Sequence, residues 1–371
     1  MRIAFVIGEV DSGAGQTRNL IEIIRTIQLY DKSWKITVFT HRYRDNVFPA
    51  GINVVMLTKY FLSLIGDDFL TTELLNYDIC YIKGVINYVR PALRSGIPVI
   101  LVSHHIDSPM IFPGVIPKIK VFLGNIMLPN VMKMVRYNIT VTKELQNFYL
   151  KRYGISTTVI EDQISEIFFA RDGSKSLNKN GLIKLLTVGS WGGIRSRKRQ
   201  HILLECLRRA EALKAHIQLT LAGLFPNEIE LLRNYASNLG IEDICIFKGK
   251  LSQQELLEEY KNNDIYVTAT TYEGFYRQAV EAMAMGLPIL AYDSRVVISD
   301  ISQCASANHV LNSGAGRLFV NEDDFQIGLE QILENYNELS QLGKKYAASF
   351  NPSVIGQKTI RYLIKVYEDN F

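Results

Sequence analysis

Two glutamates eight residues apart, Glu273 and Glu281, are the side chains of this sequence best suited to chemistry on a polyol. An ionised carboxylate accepts from two hydroxyls at once, which suits a vicinal diol such as that of a ribose. The spacing puts Glu273 at the end of the loop after an expected strand over residues 264–268, and Glu281 on the next helix, both toward one cleft. The amides of Gly274, Phe275 and Tyr276 stand near the start of that helix, where backbone N–H groups lack helical partners and can hold hydroxyls or phosphate oxygens. A bare glutamate pair at this distance is as well explained by a helix cap and a solvated face. What favours chemistry is the whole string Glu273-Gly274-Phe275, Glu281-Ala282-Met283-Ala284 and Gly286-Leu287-Pro288, whose small residues let the helix pack closely.

A second cluster is basic. Arg195, Arg197, Lys198 and Arg199 follow Val188-Gly189-Ser190 at the end of an expected strand, where three arginines and a lysine make an apt anion site rather than a merely solvated loop. The first strand runs into a turn bearing Gly8, Gly13 and Gly15, whose backbone can approach an anion closely; a dinucleotide fold presents such a turn too. His104 and His105 follow the strand expected over residues 98–102, a better place for a functional imidazole than most. No Asp-x-Asp pair stands where a divalent ion is needed: Asp67-Asp68 and Glu322-Asp323-Asp324 read as turn and helix-start acids, so the expected site has no metal.

Short apolar runs must position these groups. Strands are expected over residues 2–7, 35–40, 52–57, 78–83, 98–102 and 138–141, then over 183–188, 218–222, 244–248, 264–268 and 288–291. Helical spacing fills gaps such as 199–213, 227–238 and 252–261, and the alternation argues for two doubly wound parallel sheets of the α/β class. In such folds ligands sit beyond the carboxyl ends of the strands, here in a cleft between two facing domains. A chain of 371 residues fits two cores better than one. A final helix over residues 353–367 follows Asn351-Pro352 and is expected to pack back on the first domain.

Composition narrows the classes. The chain is 47% hydrophobic and 21% charged, which excludes a disordered or fibrous protein. Four scattered cysteines fit a reducing compartment, and the first residues run straight into a strand without the blocks of a signal peptide. A net charge of +4 is too small for a nucleic-acid binder, but residues 91–160 hold eight bases against two acids. Within them, residues 111–137 mix Ile119, Phe122, Leu123, Ile126 and Met127 with Lys118, Lys120, Lys133 and Arg136. That mixture reads either as an ordinary core helix pair or as a surface lying on an anionic membrane without crossing it.

The string from Glu273 to Glu281 resembles the E-x7-E signature of glycosyltransferase family 4, and the likeness extends over nearly the whole chain, closely in the second half and loosely in the first. The resemblance implies the GT-B fold: two Rossmann-like domains facing a cleft, with residues 1–165 for the acceptor, 166–350 for a nucleotide sugar and 351–371 as the returning helix. It implies a retaining, metal-independent transferase that needs no cofactor and moves a sugar from a nucleotide diphosphate, a UDP-sugar first, to a glycan or lipid-linked acceptor. The setting expected is cytoplasmic, at or near the inner membrane face. By the same resemblance Lys198 serves the diphosphate, Glu273 the transferred sugar, Glu281 the ribose, His104 the sugar near its reacting carbon, and Gly13 a phosphate. The family's arginine at position 190 is serine here, so Arg195 or Arg197 is expected to supply its charge. Where relatives carry Pro-Asn-Gly this chain has Glu161-Asp162-Gln163, and Tyr276 is a further departure. A catalytically silent nucleotide-sugar-binding subunit and a hydrolysing sugar-nucleotide epimerase are the competing readings.

Overall fold

The computed structural model describes residues 1–11, 15–44, 46–57, 68–104, 114–169, 177, 181–190, 193, 196–210, 216–298 and 300–371. The chain divides into two compact units, one of Met1–Ile106, Phe122–Ile164 and Asn351–Phe371, the other of Asp107–Val121 and Ser165–Phe350.

In chain order the first unit holds β1 (Arg2–Val10), α1 (Gly15–Tyr30), β2 (Lys35–Tyr43), β3 (Asn53–Met56), α2 (Asp68–Leu74), β4 (Ile79–Lys83), α3 (Val89–Arg94) and β5 (Val99–Ser103). Helix α4 (Val115–Met134) comes next, then β6 (Tyr137–Thr140), α5 (Lys143–Tyr153) and β7 (Thr158–Val159). The seven described strands form one parallel sheet in the order β3-β2-β1-β4-β5-β6-β7. Its central strands are covered on both faces, so Ile79 to Lys83 and Val99 to Ser103 are buried throughout rather than alternating. Helix ends follow from local chemistry. Thr142 caps α5 by accepting from the Leu145 amide, and Gly154, at φ +65°, closes it in the left-handed conformation that glycine adopts at no steric cost.

The second unit holds β8 (Ile183–Val188), α6 (Gln200–Arg209), β9 (Ile217–Leu224), α7 (Pro226–Asn238), β10 (Cys245–Gly249), α8 (Gln253–Asn262), β11 (Ile265–Thr268), α9 (Arg277–Ala284) and β12 (Ile289–Tyr292). Then follow α10 (Ala305–Ser313), β13 (Gly316–Phe319), α11 (Glu322–Glu334) and α12 (Tyr336–Ala347). Its described strands form a parallel six-stranded sheet in the order β10-β9-β8-β11-β12-β13 over a core that includes Leu185, Leu219, Leu221, Val267 and Leu290. The last helix, α13 (Pro352–Glu368), is capped by Asn351 and lies against α1 in the first unit. A Cβ on Gly356 would come within 2.5 Å of Thr26 Cγ2, so glycine is what lets those two helices meet.

Strands β7 and β13 lie outside the expected set, because runs of two and four residues carry too little apolar periodicity to register. The described residues of 111–137 hold a single helix, α4, where a pair was one of the two expectations. Val115, Ile116, Ile119, Phe122, Leu123 and Ile126 on it are exposed. Among the described residues no helix is long and apolar enough to cross a membrane.

Candidate functional site

The winding of the second sheet reverses between β8 and β11, the point where open α/β sheets leave a crevice beyond the strand ends. Gly189 leaves β8 with φ +139°, and its carbonyl accepts from Gln200 Nε2 at 2.6 Å, tying the strand end to the first turn of α6. A Cβ on Gly189 would stand 3.2 Å from Lys198 Cε, so the lysine side chain lies directly across this glycine. The residue before Lys198 is held firmly. The Arg197 carbonyl accepts from the Thr271 amide at 2.8 Å, from Thr270 Oγ1 at 3.1 Å and from Thr271 Oγ1 at 3.3 Å.

Glu273 meets this loop from the other side. Its amide donates to the Gln303 carbonyl at 2.9 Å and its carbonyl accepts from the Ala305 amide at 3.1 Å, which fixes its backbone. Its carboxylate takes Lys198 Nζ at 2.8 Å and has Arg197 Nε at 3.7 Å. Lys198 and Glu273 are mostly enclosed, at 13% and 14% side-chain exposure, so the pair is screened less than a surface ion pair. Lys198 Nζ also stands 4.5 Å from the ring centre of Tyr276, a cation–π contact. The Tyr276 hydroxyl pairs with Tyr266 Oη at 2.8 Å and Thr268 Oγ1 at 3.0 Å. Burial beside Tyr276 and Tyr260 pushes the Tyr266 phenol well above its usual range, so it stays neutral and the ring under Lys198 is rigidly seated.

Glu281 sits one helix further on and is buried. One carboxylate oxygen accepts from Tyr260 Oη at 3.1 Å, and Arg277 Nη2 lies 3.7 Å from the other. The Phe275 ring packs edge-on against His309 at 5.1 Å and Phe350 at 5.3 Å, so that side chain belongs to the core. Gly274, Phe275 and Tyr276 lead into the first turn of α9. The structure therefore brings together Arg197, Lys198, Glu273 and Tyr276. Arg195 and Gly13 lie outside the described residues. Tyr260 and Arg277 escaped the sequence reading, although an arginine one turn before Glu281 was a usable signal.

In the first unit His104 directly follows β5, with both ring nitrogens shielded from solvent and Nε2 3.3 Å from Asp162 Oδ1. Lys83, at the end of β4 and 2% exposed, has Nζ 3.7 Å from the same oxygen and hydrogen-bonds Asn19 Oδ1. His104 thus faces a buried carboxylate rather than open solvent. The alternative, His105, lies outside the described residues. The lysine and the aspartate were not singled out as partners in the sequence, though a lysine closing the apolar run Ile79 to Ile82 was a visible irregularity. Among the described residues no group of three or more His, Cys, Asp and Glu side chains could hold a metal ion.

Residues 174–348 match the family model described as Glycosyl transferases group 1. A stretch of 57 residues is 37% identical to mannosylfructose-phosphate synthase of Agrobacterium fabrum, covering 15% of this chain and 13% of that protein. The chain thus matches only a small part of that curated relative's length. Over its full length it superposes on all of sucrose-phosphate synthase from Thermosynechococcus elongatus with a TM-score of 0.74 at 15% identity. HepE of Anabaena, solved in complex with UDP-glucose, matches over 98% of this chain and 100% of its own with a TM-score of 0.72 at 18% identity. The architecture is accordingly that of the GT-B glycosyltransferases, and the part that matches the group 1 glycosyl transferases is the part holding Lys198, Glu273 and Glu281.

Proposed function

We propose that this chain is a retaining glycosyltransferase of family 4 type that moves a sugar from a nucleotide diphosphate, a UDP-sugar first, to a glycan or lipid-linked acceptor. The observation that carries this reading is the meeting of Arg197, Lys198 and Glu273 at the strand ends of the segment that matches the group 1 model. Lys198 and Arg197 neutralise the departing diphosphate without a metal, Glu273 holds the transferred sugar, and Glu281 the ribose. Retention follows from attack on the face that the leaving group vacates, with a departing phosphate oxygen taking the acceptor proton. Residues 1–165 receive the acceptor in this reading and residues 166–350 the donor. That HepE binds UDP-glucose supports uridine as the base.

The test is a panel of nucleotide sugars screened by thermal shift with excess EDTA, followed by turnover with the binder and determination of the product's anomeric configuration by NMR. An inverted product, or binding that collapses under EDTA, rules the reading out. Binding without turnover on any acceptor would instead mark a silent subunit, and turnover without acceptor an epimerase. Glu281→Ala is expected to weaken donor binding by about 1.5–3 kcal/mol through the lost charge-assisted contact, measured by titration calorimetry.

The acceptor side points to a membrane surface. The exposed apolar residues of α4 share the helix with exposed Lys118, Lys120 and Lys133, which suits a helix lying on anionic lipid beside a lipid-linked acceptor on the cytoplasmic face. Each base near such a surface contributes about 1 kcal/mol. Lys118→Glu/Lys120→Glu is therefore expected to abolish sedimentation with anionic vesicles at low salt, while neutral vesicles leave both proteins in the supernatant. A parent protein that ignores anionic vesicles would leave a water-borne glycan as the acceptor.

A further inference from the structure

We propose that Arg277 and Tyr260 are positioning residues that set the Glu281 carboxylate for a ribose diol, and that through it they make the donor site prefer a ribonucleotide to a deoxyribonucleotide. The inference rests on the donor-site reading above and adds to it the two side chains through which Glu281 acts.

Arg277 stands where an arginine is costly. It opens α9, where the helix dipole disfavours a cation, and it is 7% exposed. Its Nη1 is shielded from solvent and has no hydrogen-bond partner among the described residues. None of these three features helps the fold, so the reason for the arginine lies in the group it faces. One helical turn on, Glu281 Oε1 stands 3.7 Å from Arg277 Nη2, close enough for charge and too far for a hydrogen bond.

The other oxygen is held differently. Tyr260, on α8, shares its hydroxyl proton between Glu281 Oε2 at 3.1 Å and the Gln278 carbonyl at 3.2 Å, and its ring is seated edge-on against Phe168 at 5.6 Å. The carboxylate is thus fixed at both ends, by a hydrogen bond on one oxygen and by charge alone on the other. Glu281 is 3% exposed, so its remaining lone pairs are met from within the site rather than by bulk water. A vicinal diol brings two O–H donors on adjacent carbons, one for each oxygen. A deoxyribose brings one, and leaves a buried acceptor unmet.

Calorimetric titration of the full chain with UDP, 2′-deoxy-UDP and 3′-deoxy-UDP tests this. The parent is expected to bind UDP about 10–100-fold more tightly than either deoxy form, the size of one charge-assisted hydrogen bond. Arg277→Met and Tyr260→Phe should each cut that ratio at least about fivefold, whereas Arg277→Lys, which keeps the charge, should hold it within about twofold of the parent. Glu281→Gln sets the scale. Arg277→Met/Glu281→Gln should discriminate as Glu281→Gln does, because the arginine acts through the carboxylate. A merely structural pair would lower the melting temperature and leave the ratio alone. A folded Arg277→Met or Tyr260→Phe that keeps the parent's ratio, while Glu281→Gln loses it, overturns the proposal and leaves the ribose reading standing. Tyr260→Phe strands no charge and decides the matter if Arg277→Met fails to fold. An unchanged ratio in Glu281→Gln, or a parent that binds the three ligands alike or not at all, removes the ribose reading and the proposal with it.

Discussion

Lys198→Ala is expected to lower transferase kcat/KM by about 10²–10³-fold, the usual cost of removing one preorganised group that meets charge developing in the transition state. The Lys198 side chain is 13% exposed and its ammonium sits between a carboxylate and an aromatic ring, so bulk water does little to replace it. Its loss acts twice. The diphosphate loses a cation, and Glu273 loses the ammonium 2.8 Å away, which places a less compensated negative charge beside the incoming phosphates. Lys198→Ala/Glu273→Gln is therefore expected to lose less than the two single changes combined, a coupling that a double-mutant cycle measures. Arginine should not restore the activity, because Lys198 Cε already lies 3.2 Å from where a Cβ on Gly189 would stand, so the side chain runs close over the glycine, and a guanidinium is a larger group. A fall in kcat/KM of less than threefold, in a variant that melts like the parent, would mean that Lys198 does not serve the diphosphate.

Much of this arrangement was legible in the sequence, for reasons that differ between the two halves. Apolar runs buried on both faces announce parallel strands, and residues 183–188, expected as a strand, form β8 with the same bounds. Glu273, Lys198 and Glu281 were named through the resemblance of the glutamate string and the basic run, and the structure brings Glu273 and Lys198 within 2.8 Å of each other. What the sequence does not carry is which partner each group takes. Nothing in the spacing says that Glu273 reaches back to Lys198, since the contact joins residues 75 positions apart through two loops fixed by Thr270, Thr271, Gln303 and Ala305. The same holds for His104. Its place at the end of β5 was readable, whereas the carboxylate it faces arrives from the far end of the unit, after β7. Short strands fail for a plainer reason: Gly316 to Phe319 takes its place at the sheet edge from tertiary pairing with Ile289 to Tyr292, not from any pattern of its own.

Asp162→Ala is expected to destabilise the first unit by about 3–5 kcal/mol, because it removes a carboxylate that the buried Lys83 and His104 both face. Lys83 is 2% exposed, and its partners include the Asp162 carboxylate and Asn19 Oδ1. Asn19 offers an acceptor dipole but no countercharge, and α1, which carries it, is pressed close by α13 at Gly356, so the cluster cannot open cheaply to water. His104 Nε2 loses the same carboxylate. For a unit of this size such a loss corresponds to a fall of roughly 6–20 °C in the first calorimetric transition. Removing both charges separates the cost of an unpaired ion from the worth of the pair. Lys83→Met/Asp162→Asn is expected to recover most of the loss, since a desolvated ion pair contributes little net stability over a well-packed neutral pair. The distinction has a functional edge, because Asp162 stands two residues before the end of the first unit's Phe122–Ile164 segment and faces His104. The single variant should therefore lose the seat of His104 together with its stability, while the double variant regains stability and still lacks the carboxylate. Turnover that follows melting temperature in both variants would make the cluster purely a matter of folding, and turnover that stays low in the stable double variant would show that Asp162 sets the histidine for the reaction.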